Sequence, residues 1–185
     1  KPRDPAKLIA TSKQMAEFLR GKNPSADLFL MATWARADNV YPEKGAWHGT
    51  SVETMTKDLR AAYDQAAKNA AIKTVVPVGE SFLRAMNTGV ADSNPYDGIA
   101  FNQIDLWTHD HYHASNYGYY LESLMIFGDL TGLDPRSLGR NERVAIDLGF
   151  SAAQITALQQ VAADELTATK GRAPLQTFTP VPLPR

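Results

Sequence analysis

The sequence predicts an α/β protein built on a three-layer, doubly wound parallel sheet, of which this chain supplies only a part. Two observations predict this class. Short apolar runs alternate with segments of helical periodicity, in the order helix, strand, helix, strand, helix. Both runs are apolar at most positions, as strands covered on both faces are. Two strands alone do not make a stable sheet, so we expect the remaining strands to come from outside this chain.

Each strand is predicted from its composition and from the residues next to it. Residues 27–33 (Asp-Leu-Phe-Leu-Met-Ala-Thr) form a nearly unbroken apolar run, and residues 72–78 are rich in β-branched side chains. Gly79 comes directly after the second run, at the position expected of a strand-to-helix turn. A parallel pair needs a crossover between its strands, and a helix predicted over about residues 52–70 provides one.

Helices are predicted where apolar residues recur at three- and four-residue spacing between start and stop signals. The helical segments are residues 5–20, 52–70, 80–87, 119–130 and 152–166. The fourth is apolar on most faces and should be buried, and Gly132 ends it. Ser151 and Gln154 form the capping-box signature of the last helix. The polar stretch 37–49 is expected to be a loop.

The composition argues against several classes of function. The formal net charge is -1 and charged residues make up 21% of the chain, so we expect no nucleic-acid partner. No apolar run reaches the roughly 18 residues needed to cross a bilayer, so no membrane partner is expected either. The chain has no cysteine, which excludes disulfides and thiolate metal sites and leaves the compartment open.

Residues 109–113 read His-Asp-His-Tyr-His, so three of the four histidines surround one carboxylate. Histidine titrates near neutrality and is the commonest metal ligand, so the cluster indicates a proton-transfer site or a metal site. Alternate residues of an extended strand share a face, so the three histidines together with Asp110 could bind a metal. Against a metal, no helical His-x-x-x-His pair is present and His48 is the only other histidine. We therefore expect neither a metal nor another cofactor.

Asp110 and His113 are close enough in sequence for one loop to hold both. A buried carboxylate bound to one ring nitrogen fixes the tautomer and leaves the other nitrogen free to take a hydroxyl proton. The Asp-x-x-His pattern continues as Ala-Ser-x-x-Gly-x-Tyr-Leu into the helix that is predicted to be buried. Ser115 should cap that helix, and Gly118 should allow close packing beside the site.

With this extension, the sequence resembles the SGNH (GDSL-like) hydrolases over roughly residues 5–135. Two further segments carry the resemblance, Pro-Val-Gly-Glu at 77–80 and Leu-Thr-Gly-Leu-Asp-Pro at 130–135. In that family the aspartate of the Asp-x-x-His block orients the imidazole that deprotonates a serine of the first strand. The resemblance implies an ester hydrolase of the serine-histidine-aspartate type in which Asp110 orients His113, the general base.

The chain departs from the family because no Gly-Asp-Ser-like block and no later glycine or asparagine block for an oxyanion is recognisable. The resemblance thus implies that residues 1–170 are the C-terminal part of one hydrolase domain, followed by a proline-rich extended tail at 171–185. About 100 preceding residues of the precursor would carry the nucleophile, and this N-terminal segment is the expected partner. Ser81 lies in a similar Gly-Glu-Ser context, but the matching family segment has no catalytic duty, so we expect an ordinary first-turn helix residue there.

Trp34 and Arg36 come after the first strand at its carboxyl end, where open α/β sheets bind ligands. With His111 they are candidate substrate-binding residues, because an aromatic ring and a guanidinium suit a sugar ring or a carboxylate; the alternative is a packed tryptophan and a solvated arginine. The expected substrate is an ester or acyl group on a small molecule or a carbohydrate. A noncatalytic binding or structural module of the same fold is the alternative function. Members of the family are often exported, which favours a periplasmic or extracellular location.

Overall fold

The computed structural model describes residues 3–169 and 173–179, and its fold is mixed α/β. The strands are Phe29–Met31 (β1) and Thr74–Val76 (β2). The α-helices are Ala6–Lys22 (α1), Ala37–Val40 (α2), Val52–Asn69 (α3), Val78–Asn87 (α4), Asn116–Thr131 (α5), Arg143–Asp147 (α6) and Ala152–Ala168 (α7), and Pro135–Leu138 is a 3-10 helix. None of the helices in the described ranges is both long and apolar enough to cross a membrane.

β1 and β2 pair in parallel, as the sequence predicts, with Met31 opposite Val76. Both strands are shorter than the predicted runs, and β2 stops before Pro77, which has no N–H to donate to a ladder. Contact between the two chain segments continues past β1, because the N–H of Ala32 donates to the carbonyl of Val76 at 3.0 Å. The carboxyl ends of the two strands therefore lie side by side.

Serine side chains begin three of the helices at the positions that the sequence indicates. Ser51, Ser115 and Ser151 each accept a hydrogen bond from the backbone N–H three residues further on, at 3.1, 3.3 and 3.2 Å. The side-chain oxygen of Gln154 accepts the backbone N–H of Ser151 at 2.9 Å, which completes the predicted capping box. Each such cap stabilises its helix by about 1 kcal/mol.

Three α-helices differ from the prediction. α6 is a short helix in a segment where the sequence predicted none. α2 is a single turn within residues 37–49, which were expected to be a loop, and a helix this short leaves no periodic pattern to detect. α5 is buried along one side only: Leu121 and Met125 are fully buried, whereas Tyr119 and Leu130 are 45% and 53% exposed. Although apolar side chains lie on most faces of α5, only one side of the helix is buried in this structure.

Two glycines let backbone segments approach each other closely. A Cβ at Gly79 would lie 2.4 Å from the carbonyl oxygen of Thr33, and a Cβ at Gly118 would lie 2.5 Å from that of Leu106. Only a residue without a side chain fits at either position. The predicted close packing at Gly118 is confirmed, and it sets the start of α5 against the segment that carries the histidines.

The part of the proline-rich tail that the structure describes, residues 173–179, packs against the end of α5. Gln176 forms a parallel bridge with Leu133. The ring centroid of Phe178 lies 5.8 Å from that of Phe127 on α5. The rest of the predicted tail lies outside the described residues.

Candidate functional site

Residues 107–114 form a loop, termed the histidine loop, whose two ends are joined by backbone contacts. Trp107 and Ala114 form an antiparallel bridge. The N–H of Thr108 donates to the carbonyl of His113 at 2.8 Å. A loop closed in this way has little freedom, so its side chains are held in defined positions ahead of α5.

Asp110 and His113 are hydrogen-bonded to each other, with Oδ2 of the aspartate 2.6 Å from Nδ1 of the imidazole. The other carboxylate oxygen, Oδ1, accepts three hydrogen bonds: from the Thr108 hydroxyl at 2.6 Å and from the backbone N–H groups of Tyr112 and His113 at 3.0 and 2.9 Å. A carboxylate only accepts, so Nδ1 carries the proton in this contact. In the neutral ring the lone pair then lies on Nε2.

The pair lies at the surface rather than in the interior. The His113 side chain is 60% exposed and that of Asp110 is 38% exposed. Nε2 of His113 makes no hydrogen bond to any residue in the ranges 3–169 and 173–179. The expectation of a buried carboxylate is wrong for this structure, because hydrogen bonds within the loop, and not burial, hold the aspartate in place.

These hydrogen bonds lower the pKa of the Asp110 carboxyl well below its usual range. The hydroxyl of Thr108 contributes most, followed by the side chain of His113 and then by the backbone N–H groups of His113 and Tyr112. Each donor favours the ionised form. Asp110 is thus a carboxylate at any pH at which proteins ordinarily work.

We expect Asp110 to remain ionised well below about pH 3.9, where an ordinary aspartate is half protonated. Because folding lowers this pKa, the stabilisation that the carboxylate gives the loop is fully present above that pH and is lost as the pH falls through the folded-state pKa. Thr108→Val removes the largest contribution and should raise the pKa of Asp110 toward its ordinary value. A ¹³C NMR titration of the Asp110 carboxyl measures its pKa in the wild type and in the variant. Titration of the wild type near pH 3.9, or an unchanged pKa in the variant, would contradict this explanation.

Two tryptophans fasten the histidine loop to the carboxyl end of β1. Nε1 of Trp34 donates to the carbonyl of Tyr112 at 3.1 Å, and Nε1 of Trp107 donates to the carbonyl of Ala35 at 3.0 Å. The Trp34 ring stacks on Phe82 of α4 with centroids 5.1 Å apart. Trp34 is only 8% exposed, so this candidate substrate-binding residue offers little ring surface to a ligand. Trp34 therefore supports the histidine loop from the protein core.

Arg36 and His111, the other two candidate substrate-binding residues, each lie against a tyrosine ring. The guanidinium carbon of Arg36 is 4.2 Å from the ring centroid of Tyr112. The ring of His111 lies 4.4 Å from that of Tyr96. Nε of Arg36 and Nδ1 of His111 are both buried and have no hydrogen-bond partner within the part of the chain described here.

Sequence reasoning gave no role to Thr108 or Tyr96. A threonine hydroxyl close to an aspartate in a turn commonly makes a local hydrogen bond, so the spacing of Thr108 and Asp110 was a usable signal. Tyr96 lies on a different segment from the histidine loop, and nothing in the surrounding sequence indicates its contact with His111.

Neither serine that the sequence brings to attention is free to act as a nucleophile. Ser81 is fully buried in the first turn of α4, and its hydroxyl donates to the carbonyl of Val78 at 2.7 Å. The hydroxyl of Ser115 donates to the carbonyl of Asp105 at 2.7 Å while it caps α5. The expectations of a first-turn helix residue at Ser81 and of a cap at Ser115 are confirmed.

The extended strand that a metal site would need is absent from the histidine loop. Residues 109–113 form turns and bends, and His111 has a φ of 55°. The three histidines therefore do not alternate along a strand, and the geometric basis of the metal alternative is wrong. Within residues 3–169 and 173–179, no group of three or more histidine, cysteine, aspartate or glutamate side chains is arranged to hold a metal ion.

The fold and the site together define a mixed α/β protein that presents a hydrogen-bonded aspartate–histidine pair on its surface. No protein-family model matches the chain, and no curated protein matches it. Among solved structures, its fold is similar to that of a DUF4886 family protein from Bacteroides uniformis, with a TM-score of 0.58 and 17% sequence identity. The match covers 84% of this chain and 54% of that one, so the chain spans about half the length of the protein it matches. The likeness is one of fold alone.

Proposed function

We propose that this chain supplies the histidine and aspartate of a serine-histidine-aspartate ester hydrolase. The observation that carries the proposal is the 2.6 Å contact between Asp110 Oδ2 and His113 Nδ1, which leaves Nε2 exposed and able to accept a proton. A general base needs a fixed tautomer and access to the proton it removes, and this pair has both.

In the proposed reaction, His113 Nε2 takes the proton from a serine hydroxyl as its oxygen attacks the ester carbonyl carbon. The imidazolium then gives that proton to the departing alcohol, which leaves an acyl-serine. Water, activated by the same nitrogen, hydrolyses the acyl-serine and releases the acid. Asp110 stays ionised throughout and stabilises the imidazolium. The substrate is an ester of a small molecule or a carbohydrate.

The serine in this proposal lies on an N-terminal segment of the same precursor, and the two parts form one three-layer, doubly wound domain. Exposed apolar side chains beside β1 support a further layer of structure there, because isolated domains seldom expose large apolar patches. The side chains of α1 and β1 in question are more than a third exposed: Met15, Phe18, Leu19 and Phe29. Within the described residues, β1 pairs with β2 alone, which leaves an edge for another strand.

The test joins this chain to that N-terminal segment. We expect the 185 residues alone to leave an aryl acetate at its background rate of hydrolysis, and the joined protein to accelerate it, since the general base then has a nucleophile to activate. Release of the phenol is followed by absorbance. No acceleration by a folded, joined protein would favour the second candidate, a noncatalytic module, to which the occupied hydroxyls of Ser81 and Ser115 also point.

A further inference from the structure

We propose that Arg36 forms a subsite for a carboxylate, so that the ester on which this protein acts carries a negative charge near its reacting bond. This inference rests on the proposed function for the ester part of the ligand. The carboxylate part rests on the geometry around Arg36. It deepens the assignment by naming a substrate class, the half-esters of short dicarboxylic acids and esters of similar carboxylate-bearing compounds.

The ring of Tyr112 joins the two parts of the site. The Arg36 guanidinium carbon lies 4.2 Å from the centroid of that ring, and the imidazole centroid of His113 lies 4.8 Å from it. The Tyr112 carbonyl is fixed by Trp34 Nε1 at 3.1 Å. The guanidinium and the imidazole of the proposed general base thus both lie against the ring of Tyr112.

Arg36 differs from other partly buried arginines in having no polar partner. Arg60 and Arg84 are 32% and 31% exposed, and each pairs with a glutamate at 2.7 Å. The side chain of Arg36 is half-buried, yet among the residues described it makes neither an ion pair nor a hydrogen bond, and its Nε is fully buried without a partner. Burying an unsatisfied charged donor is costly, so such a group indicates a ligand that completes it.

The N–H groups of Arg36 determine which kind of ligand the subsite binds. A guanidinium presents parallel N–H groups that match the two oxygens of a carboxylate. On the neighbouring histidine loop, Nδ1 of His111 is also buried without a partner; the tilted ring of Tyr96 lies against this imidazole, and the His111 carbonyl accepts the N–H of Asp38 at 3.1 Å.

Asp110 is the acidic residue nearest in sequence to His111, and its carboxylate accepts hydrogen bonds from Thr108 and His113. Asp38 lies two residues after Arg36. Its Oδ1 accepts a hydrogen bond from Asn39 Nδ2 at 2.8 Å, and no ion pair joins it to Arg36. Asp105, whose charge interacts with His111, accepts the backbone N–H of Trp107 at 2.8 Å. None of these three acids forms an ion pair with the guanidinium of Arg36.

The experiment uses two esters that differ only in the group proposed to bind. The ¹⁵N-labelled 185-residue chain is titrated with monomethyl succinate and with methyl butanoate, in which a methyl group replaces the carboxylate. The readout is the Nε–Hε resonance of Arg36. We expect a saturable shift with the succinate half-ester and none with methyl butanoate. Equal responses to both esters, or none to either, would overturn the subsite.

Arg36→Gln should weaken binding of the half-ester about tenfold or more, because it removes the charge and the paired donors. Arg140→Gln is the matched control on an exposed arginine, and it should bind as the wild type does. A half-ester that binds Arg36→Gln as tightly as the wild type would also overturn the proposal. If that variant does not fold, the two-ester comparison on the wild type decides alone. Since binding is measured without hydrolysis, failure here is distinct from failure of the proposed catalytic role.

Discussion

Replacing His113 by alanine is expected to lower the rate of ester hydrolysis by the joined protein about 10⁶-fold, close to the effect of removing a whole triad. The reason is that His113 Nε2 is the acceptor for the proton of the attacking serine and the donor for the leaving alcohol. Without it, the hydroxyl remains protonated and the catalytic unit is lost. Initial rates of aryl acetate hydrolysis by wild type and variant, under identical conditions, measure the change.

A second variant and a control distinguish the orienting role of Asp110 from the role of His113 as the base. Asp110→Asn should lower the rate about 10⁴-fold, because the carboxylate that fixes the Nδ1–H tautomer is lost while the shape is kept. His109→Ala alters an exposed neighbour and should leave the rate within a factor of two or so. A His109 variant as defective as His113→Ala would mean that the loop as a whole, rather than the pair, supports the activity.

Replacing Trp107 by alanine is expected to lower the free energy of unfolding by about 3–5 kcal/mol, the usual cost of deleting a large buried aromatic side chain. Trp107 is 2% exposed, and its Nε1 donates to the carbonyl of Ala35 at 3.0 Å. The change leaves both a cavity and a buried carbonyl without its partner. Urea unfolding followed by far-UV circular dichroism measures the loss without relying on tryptophan fluorescence.

The matched control for Trp107→Ala is Phe101→Ala, at an aromatic residue that is 93% exposed. A surface change of this kind should alter the free energy of unfolding by less than about 0.5 kcal/mol. If both variants lost similar stability, the loss at Trp107 would not come from burial. A Trp107 variant as stable as the wild type would show that the histidine loop does not depend on its anchor to Ala35.

Local signals account for the parts of the fold that the sequence predicted well. Ser51, Ser115 and Ser151 indicate helix starts because a hydroxyl that accepts a backbone N–H three residues on is a property of a short segment. The parallel pairing of β1 with β2 was predictable from two apolar runs joined by a helical crossover. By contrast, the exposed side of α5, with Tyr119 and Leu130, was not predictable, because apolar periodicity does not say which neighbours are present.

The same distinction between local signals and contacts of distant segments holds for the site. Asp110 and His113 are three residues apart, and that spacing was enough to predict that one loop joins them. The stacking of Arg36 on Tyr112 joins segments far apart in the chain, so only the folded structure brings it to light. Of the two alternatives that the sequence left open for Trp34, a ligand contact or a packed ring, the structure has the packed ring, whose Nε1 donates to the Tyr112 carbonyl.

The most direct measurement is the rate at which the joined protein hydrolyses an aryl acetate before and after His113→Ala, with the isolated 185-residue chain as a blank. We expect the blank at background, a clear acceleration by the joined protein, and the loss of that acceleration in the variant. Hydrolysis by the isolated chain that survives His113→Ala would contradict the assignment of His113 as the general base.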